Sequence, residues 1–147
     1  MGTSATIAVV KSDGTVIQTR VNYDGYLSEV GKILLEEYTF QDPVELLVSL
    51  GEMSSLGRFI TPEISLENDS VFPHSFEHPL KDVTVYYGRD RGEIGTEPEE
   101  FCSFAQFIEY RQMEEYNYLF NEGKWVYSEM GSGEWKSLTQ ESIAEEE

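Results

Sequence analysis

Basic side chains are scarce in this sequence. Its 147 residues carry ten Lys and Arg against twenty-eight Asp and Glu, a formal net charge of −18. Phosphate backbones and anionic lipids attract Lys and Arg, so direct binding of DNA, RNA or a membrane surface is not expected. Cysteine occurs once, at Cys102, so no internal disulfide can form, as suits a reducing cytosol. No apolar run is long enough to span a bilayer. Met1-Gly2-Thr3-Ser4-Ala5 lacks the basic-then-apolar pattern of a secretion signal, and a cytoplasmic location is expected. Phosphate-cradling GxxxxGK[ST], a helix-opening GxGxxG, CxxC and HExxH are all missing.

Aromatic residues, by contrast, are plentiful: eight Phe, nine Tyr and two Trp. Disordered acidic chains lack them because they have no core to build. The acidity therefore belongs to a folded surface, and the length is that of one domain. Carboxylates concentrate toward the C-terminus, where thirteen Glu from Glu97 onward face only Arg111, Lys124 and Lys136.

Local pattern predicts an α+β fold. Residues 5–10 and 16–23 read as two strands joined by Ser12-Asp13-Gly14-Thr15, a hairpin turn in which Gly accepts positive φ. Leu27, Val30, Leu34 and Tyr38 share one helical face over residues 28–38. A second helix is predicted at Asp42-Pro43-Val44-Glu45, with Asp42 as its cap and Gly51 as its end. The prolines Pro62, Pro73 and Pro79 mark an irregular stretch. A strand over residues 83–87 is expected to stop at Gly88. A helix is expected to start at Thr96-Glu97-Pro98-Glu99 and run to about Met113. Asn121-Glu122-Gly123 joins a second hairpin, and one further short strand falls near Trp135. The expected architecture is a single compact domain over 1–140. It has an antiparallel sheet built from hairpins, with two or three helices on one face and a disordered acidic tail over 141–147.

Few residues invite chemistry. His74 and His78 have the i, i+4 spacing of a helical zinc pair, but Pro73 and Pro79 bracket them, so two loop histidines and no metal are expected. Cys102 sits among Phe101, Phe104 and acids that raise a thiol pKa, which reads as a buried or half-buried structural cysteine. The Glu36-Glu37, Glu99-Glu100 and Glu114-Glu115 pairs read as solvated helix faces rather than paired catalytic acids. The densest constellation is Tyr86-Tyr87-Gly88-Arg89-Asp90-Arg91-Gly92-Glu93. Arg89 and Arg91 there either clamp an anion or brace a loop through the chain's own acids. Asp24-Gly25-Tyr26 is a tight turn before a helix.

Several segments recur together in a known set of proteins: Gly2-Thr3-Ser4-Ala5-Thr6-Ile7, the Asp13-Gly14 turn, Tyr23-Asp24-Gly25-Tyr26, and Gly31 with Leu34-Leu35 and Tyr38. Ser54-Ser55-Leu56-Gly57, Tyr87-Gly88-Arg89-Asp90-Arg91-Gly92-Glu93, and Glu114-Glu115-Tyr116-Asn117-Tyr118-Leu119-Phe120 before Gly123-Lys124-Trp125 complete the series. In this the chain resembles a family of small hypothetical proteins carried by bacteriophages and prophages, over most of its length to about Tyr127. The family pattern has His-Trp before Asp-Gly-Tyr where this chain has Asn22-Tyr23, so an upstream catalytic histidine is not implied. The resemblance implies a phage origin and a bacterial cytoplasm, but no catalytic residue and no cofactor.

Three functions are compatible with these features. The first is a non-enzymatic phage accessory protein that binds and inhibits a host protein of defence or nucleic-acid handling, by DNA mimicry in its sharpest form. Its partner-binding face would be Glu97, Glu99, Glu100, Glu109, Glu114 and Glu115. The second is a small-ligand or nucleotide binder, or a hydrolase, built on Arg89, Asp90 and Arg91 with Asp24, Tyr26 and Glu93 nearby. The third is an acidic immunity or antitoxin protein that neutralises a basic toxin.

Overall fold

The computed structural model describes residues 4–23, 25–58, 60, 83–109, 116–129 and 134–146. Strands β1 (Ala5–Val10) and β2 (Val16–Val21) form the first hairpin. In its turn Asp13 Oδ1 accepts from the Thr15 amide at 3.0 Å and the Thr15 hydroxyl at 2.6 Å. These two bonds hold the Asp13 carboxyl below its ordinary pKa. A π-helical turn over Leu27–Gly31 leads into α1 (Lys32–Glu37), followed by α2 (Gln41–Ser49), β3 (Met53–Ser55), β4 (Val85–Tyr86) and α3 (Tyr87–Arg91). The chain continues through β5 (Glu99–Phe101), α4 (Phe104–Glu109), β6 (Tyr116–Asn121), β7 (Lys124–Glu129), β8 (Lys136–Ser137) and α5 (Gln140–Glu146). The fold is α+β.

Among the described residues one sheet carries all eight strands, in the order β4-β3-β2-β1-β6-β7-β8, with β5 also paired to β2. It is mixed rather than antiparallel throughout, since β1 pairs parallel with β6 and β2 parallel with β3. The β6–β7 hairpin is the expected one. Its two-residue turn has positive φ at both Glu122 (53°) and Gly123 (79°), the geometry that matches strand twist.

Strand alternation divides the apolar residues between the two faces. Ile7, Val9, Ile17, Tyr118, Phe120, Trp125 and Tyr127 join Leu34, Val44, Leu47 and Ile143 in the larger core, so α1, α2 and α5 cover that face. Ala8, Val16 and Leu119 meet Phe101 and Phe107 in a second cluster, which places α4 on the other face. Helices therefore lie on both faces, not one as expected. Buried aromatic tips pin the layers through backbone carbonyls: Tyr86 OH to Leu47 O at 2.7 Å, Tyr118 OH to Gly25 O at 2.8 Å and Trp125 Nε1 to Tyr38 O at 2.8 Å.

Four further expectations are corrected. Phe40, not Asp42, occupies the cap of α2, and no side chain caps it; Asp42 falls in the first turn. The strand expected to run to Tyr87 ends at Tyr86, and the glycine-flanked turn after it is the short helix α3. Residues 99–101 extend along β2 instead of opening a helix. The α4 start is set by Ser103, whose Oγ accepts from the Gln106 amide at 3.1 Å while Gln106 Oε1 accepts from the Cys102 amide at 2.7 Å, a form of capping box.

The fourth correction concerns the acidic tail, of which residues 141–146 belong to the helix α5. Thr139 Oγ1 caps it by accepting from the Ser142 amide at 3.1 Å. Leu138 before the cap and Ile143 after it are 4% and 3% exposed and join the larger core. That is the spacing of a hydrophobic staple, and it outweighs the acidic composition.

Candidate functional site

The Arg89 turn is braced from within. Arg89 Nε donates to Asp90 Oδ1 at 2.9 Å, and its Nη2 donates to Thr84 O at 2.8 Å and Asp90 Oδ2 at 3.0 Å. Nη1 donates to Ile60 O, and the guanidinium carbon lies 4.8 Å from the centre of the Tyr86 ring. Asp90 Oδ2 in turn accepts from the Tyr86 amide at 2.8 Å, which satisfies an N–H at the start of α3. The guanidinium thus ties α3 to the chain before it, with its forks aimed at the protein's own carbonyls and carboxylate. Burial pushes the Tyr86 hydroxyl well above its ordinary pKa, and the nearby Arg89 charge only partly offsets this. Glu93 is exposed in the following loop. Asp24 and the Arg91 side chain lie outside the described residues.

The two motifs around Tyr23 and Tyr87 meet, though not through the residues singled out above. Asn22, directly after β2, donates from Nδ2 to Glu52 Oε2 at 3.0 Å and to the Tyr87 hydroxyl at 2.9 Å. The backbone repeats the junction: the Asn22 amide donates to Met53 O and the Tyr87 amide to Glu52 O, both at 3.1 Å. Asn22, Glu52 and Tyr87 are all half-buried. Glu52 accepts only, so the amide nitrogen of Asn22 must face it, which fixes the orientation of that side chain. In the chain after Asn22, Tyr23 is 49% exposed and Tyr26 42%. Tyr26 packs edge-on to Tyr116 at 6.4 Å rather than beside Arg89. Glu52 was missed in the sequence because a lone Glu after a glycine carries no signal; only the fold sets it opposite Asn22.

A backbone contact holds this corner in place. The Glu52 amide donates to Thr96 O at 2.9 Å, and a Cβ on Gly51 would lie 2.3 Å from that same oxygen. Gly51 also has φ of 96°. Only glycine permits the loop after α3 to close on the end of α2.

The expected acidic face is distributed over different elements. Glu97, Glu99, Glu100 and Glu109 are all exposed. Glu99 and Glu100 are neighbours in β5 and so project to opposite sides of it, Glu99 toward Gln18 and Glu100 opposite Ile17. Gln18 Nε2 lies 3.4 Å from Glu99 Oε1. Glu114 and Glu115, like His74 and His78, lie outside the described residues.

Cys102 is exposed, not buried. It stands just before α4 with its neighbour Phe101 turned into the second core, so alternation directs the thiol outward. Among the described residues no helix is long and apolar enough to cross a membrane, and no group of three His, Cys, Asp or Glu is placed to hold a metal ion. No protein-family model, curated protein or solved structure matches the chain.

Proposed function

We propose that this chain is a non-enzymatic binding protein that engages a basic surface of another protein through its carboxylates. In the setting its resemblance implies, it is encoded by a phage, acts in the bacterial cytoplasm and inhibits a host protein. The observation that carries this reading is the display of Glu97, Glu99, Glu100 and Glu109 at the surface of a chain with a net charge of −18. Among the described residues no cation pairs with Glu97, Glu100 or Glu109, so their charge is directed at solvent. Carboxylates presented this way accelerate encounter with a basic partner and disfavour nucleic acid. In the sharpest form they occupy a groove that otherwise holds phosphates. The alternative reading of Arg89 as an anion clamp is weakened by its donors, which point at Asp90, Thr84 and Ile60.

The test is capture of bacterial proteins on the immobilised chain at about 50 mM salt, followed by elution with duplex DNA or with about 0.5 M salt. Nucleic-acid-binding proteins that duplex DNA displaces are the expected result. A captured set with no basic bias, or one that neither DNA nor salt displaces, contradicts the reading.

A further inference from the structure

We infer that the corner formed by Asn22, Glu52 and Tyr23 is the seat of an arginine side chain contributed by the protein partner. This rests on the acidic-surface reading above and gives that surface a defined anchor.

The argument is one of hydrogen-bond inventory. An Asn amide offers two N–H donors and one carbonyl acceptor. Both donors of Asn22 are engaged, one by Glu52 and one by the Tyr87 hydroxyl. Among the described residues Asn22 Oδ1 and Glu52 Oε1 accept no hydrogen bond, and no cation pairs with Glu52. The junction is therefore half-buried, negatively charged and rich in acceptors, with the Tyr87 hydroxyl as its remaining donor group. A ligand complementary to it must bring donors and positive charge.

The neighbouring ring narrows the choice. Tyr23 follows Asn22 in the chain and is 49% exposed, so an open aromatic ring stands one residue along the chain from the junction. A planar guanidinium forks onto carboxylate oxygens and stacks on an aromatic face, whereas a compact, strongly hydrated ammonium gains less from both. The corner is also fixed in position before any partner arrives, by the pairing of Val21 with Met53 and by the contact of Thr96 O with the Glu52 amide and Gly51. Preorganisation lowers the cost of docking. The net charge of −18 makes a basic partner the one the long-range field favours.

The experiment titrates octa-arginine and octa-lysine peptides into the full chain at about 0.15 M salt, with affinity read by calorimetry and the Asn22 side-chain amide followed by NMR. Octa-arginine is expected to bind more tightly than octa-lysine and to shift the Asn22 amide resonances. Glu52→Gln keeps an acceptor for Asn22 but removes the charge, and is expected to weaken octa-arginine binding about tenfold. Tyr23→Leu is expected to weaken it about fivefold, and Glu122→Gln, exposed in the β6–β7 turn, by less than about twofold. Thermal melts of each variant confirm that the fold is kept. Wild-type affinity in both Glu52→Gln and Tyr23→Leu, with shifts confined to residues 97–109, overturns the seat while the acidic-surface reading stands. Equal affinity for the two peptides overturns the preference for arginine. Absence of binding by either peptide overturns both readings.

Discussion

Gly51 and Gly123 have similar positive φ, 96° and 79°, yet they respond to different constraints. A methyl on Gly123 meets nothing within 4 Å, whereas on Gly51 it lies 2.3 Å from Thr96 O. Gly123→Ala is therefore expected to cost about 1 kcal/mol from backbone strain alone, and Gly51→Ala about 3 kcal/mol or more, since the loop must also move. Denaturant melts of the two variants measure the difference, and equal losses would remove the close approach from the account. The buried tyrosines make a second prediction. Burial pushes Tyr38 up to about 12 and Tyr86 in the same direction, while unfolded tyrosines ionise near 10. Above about pH 10 the unfolded chain has released protons that the native state retains, so the stability from these groups is complete below that pH and is lost as pH rises toward 12. Tyr38→Phe should flatten the fall in stability between about pH 10 and 12, as read by circular dichroism, and an unchanged slope would contradict the assignment. Cys102, being exposed, should react with a thiol reagent in the native protein without prior unfolding. Reaction only after unfolding would show it buried.

At the scale of elements, α5 makes the clearest prediction. Ile143→Ala should destabilise the protein by about 2–4 kcal/mol, because the side chain is buried in the larger core. A change below about 0.5 kcal/mol, the range of a surface position, would mean the helix is not docked. Composition concealed this helix: Glu141 and the closing run of Glu read as a solvated tail, while the two residues that matter, Leu138 and Ile143, are spaced around a cap. Both hairpins were legible because Asp13-Gly14 and Glu122-Gly123 state their turns locally and the flanking residues alternate. The parallel pairing of β1 with β6 was not, since it joins Thr6 and Asn117, residues 111 positions apart. The helix start at Ser103 was displaced in the sequence reading because Thr96-Glu97-Pro98-Glu99 has the same capping chemistry. Its Glu99 and Glu100 gain more by pairing with β2. In the candidate site, the Arg89 turn was visible as a motif, and bracing was one of its two expected roles. The Asn22–Glu52 junction depended on a contact that no spacing encodes.

For the whole molecule the decisive quantity is charge. Eighteen net negative charges repel one another in the native state more than in an expanded one, so added salt should stabilise the fold through screening. Raising sodium chloride from about 0.05 to 0.5 M is expected to raise Tm by about 5 °C. A fall in Tm would indicate that attractive pairs dominate the surface. The proposed function gives the same field a second role, the selection of a basic partner over phosphate. The most direct test of that claim is the affinity of a DNA-displaceable captured partner for a variant carrying Glu97→Lys, Glu99→Lys, Glu100→Lys and Glu109→Lys. With its melting curve close to that of the unaltered protein, the variant is predicted to bind at least about a hundredfold more weakly. Undiminished affinity in the folded variant would contradict the account.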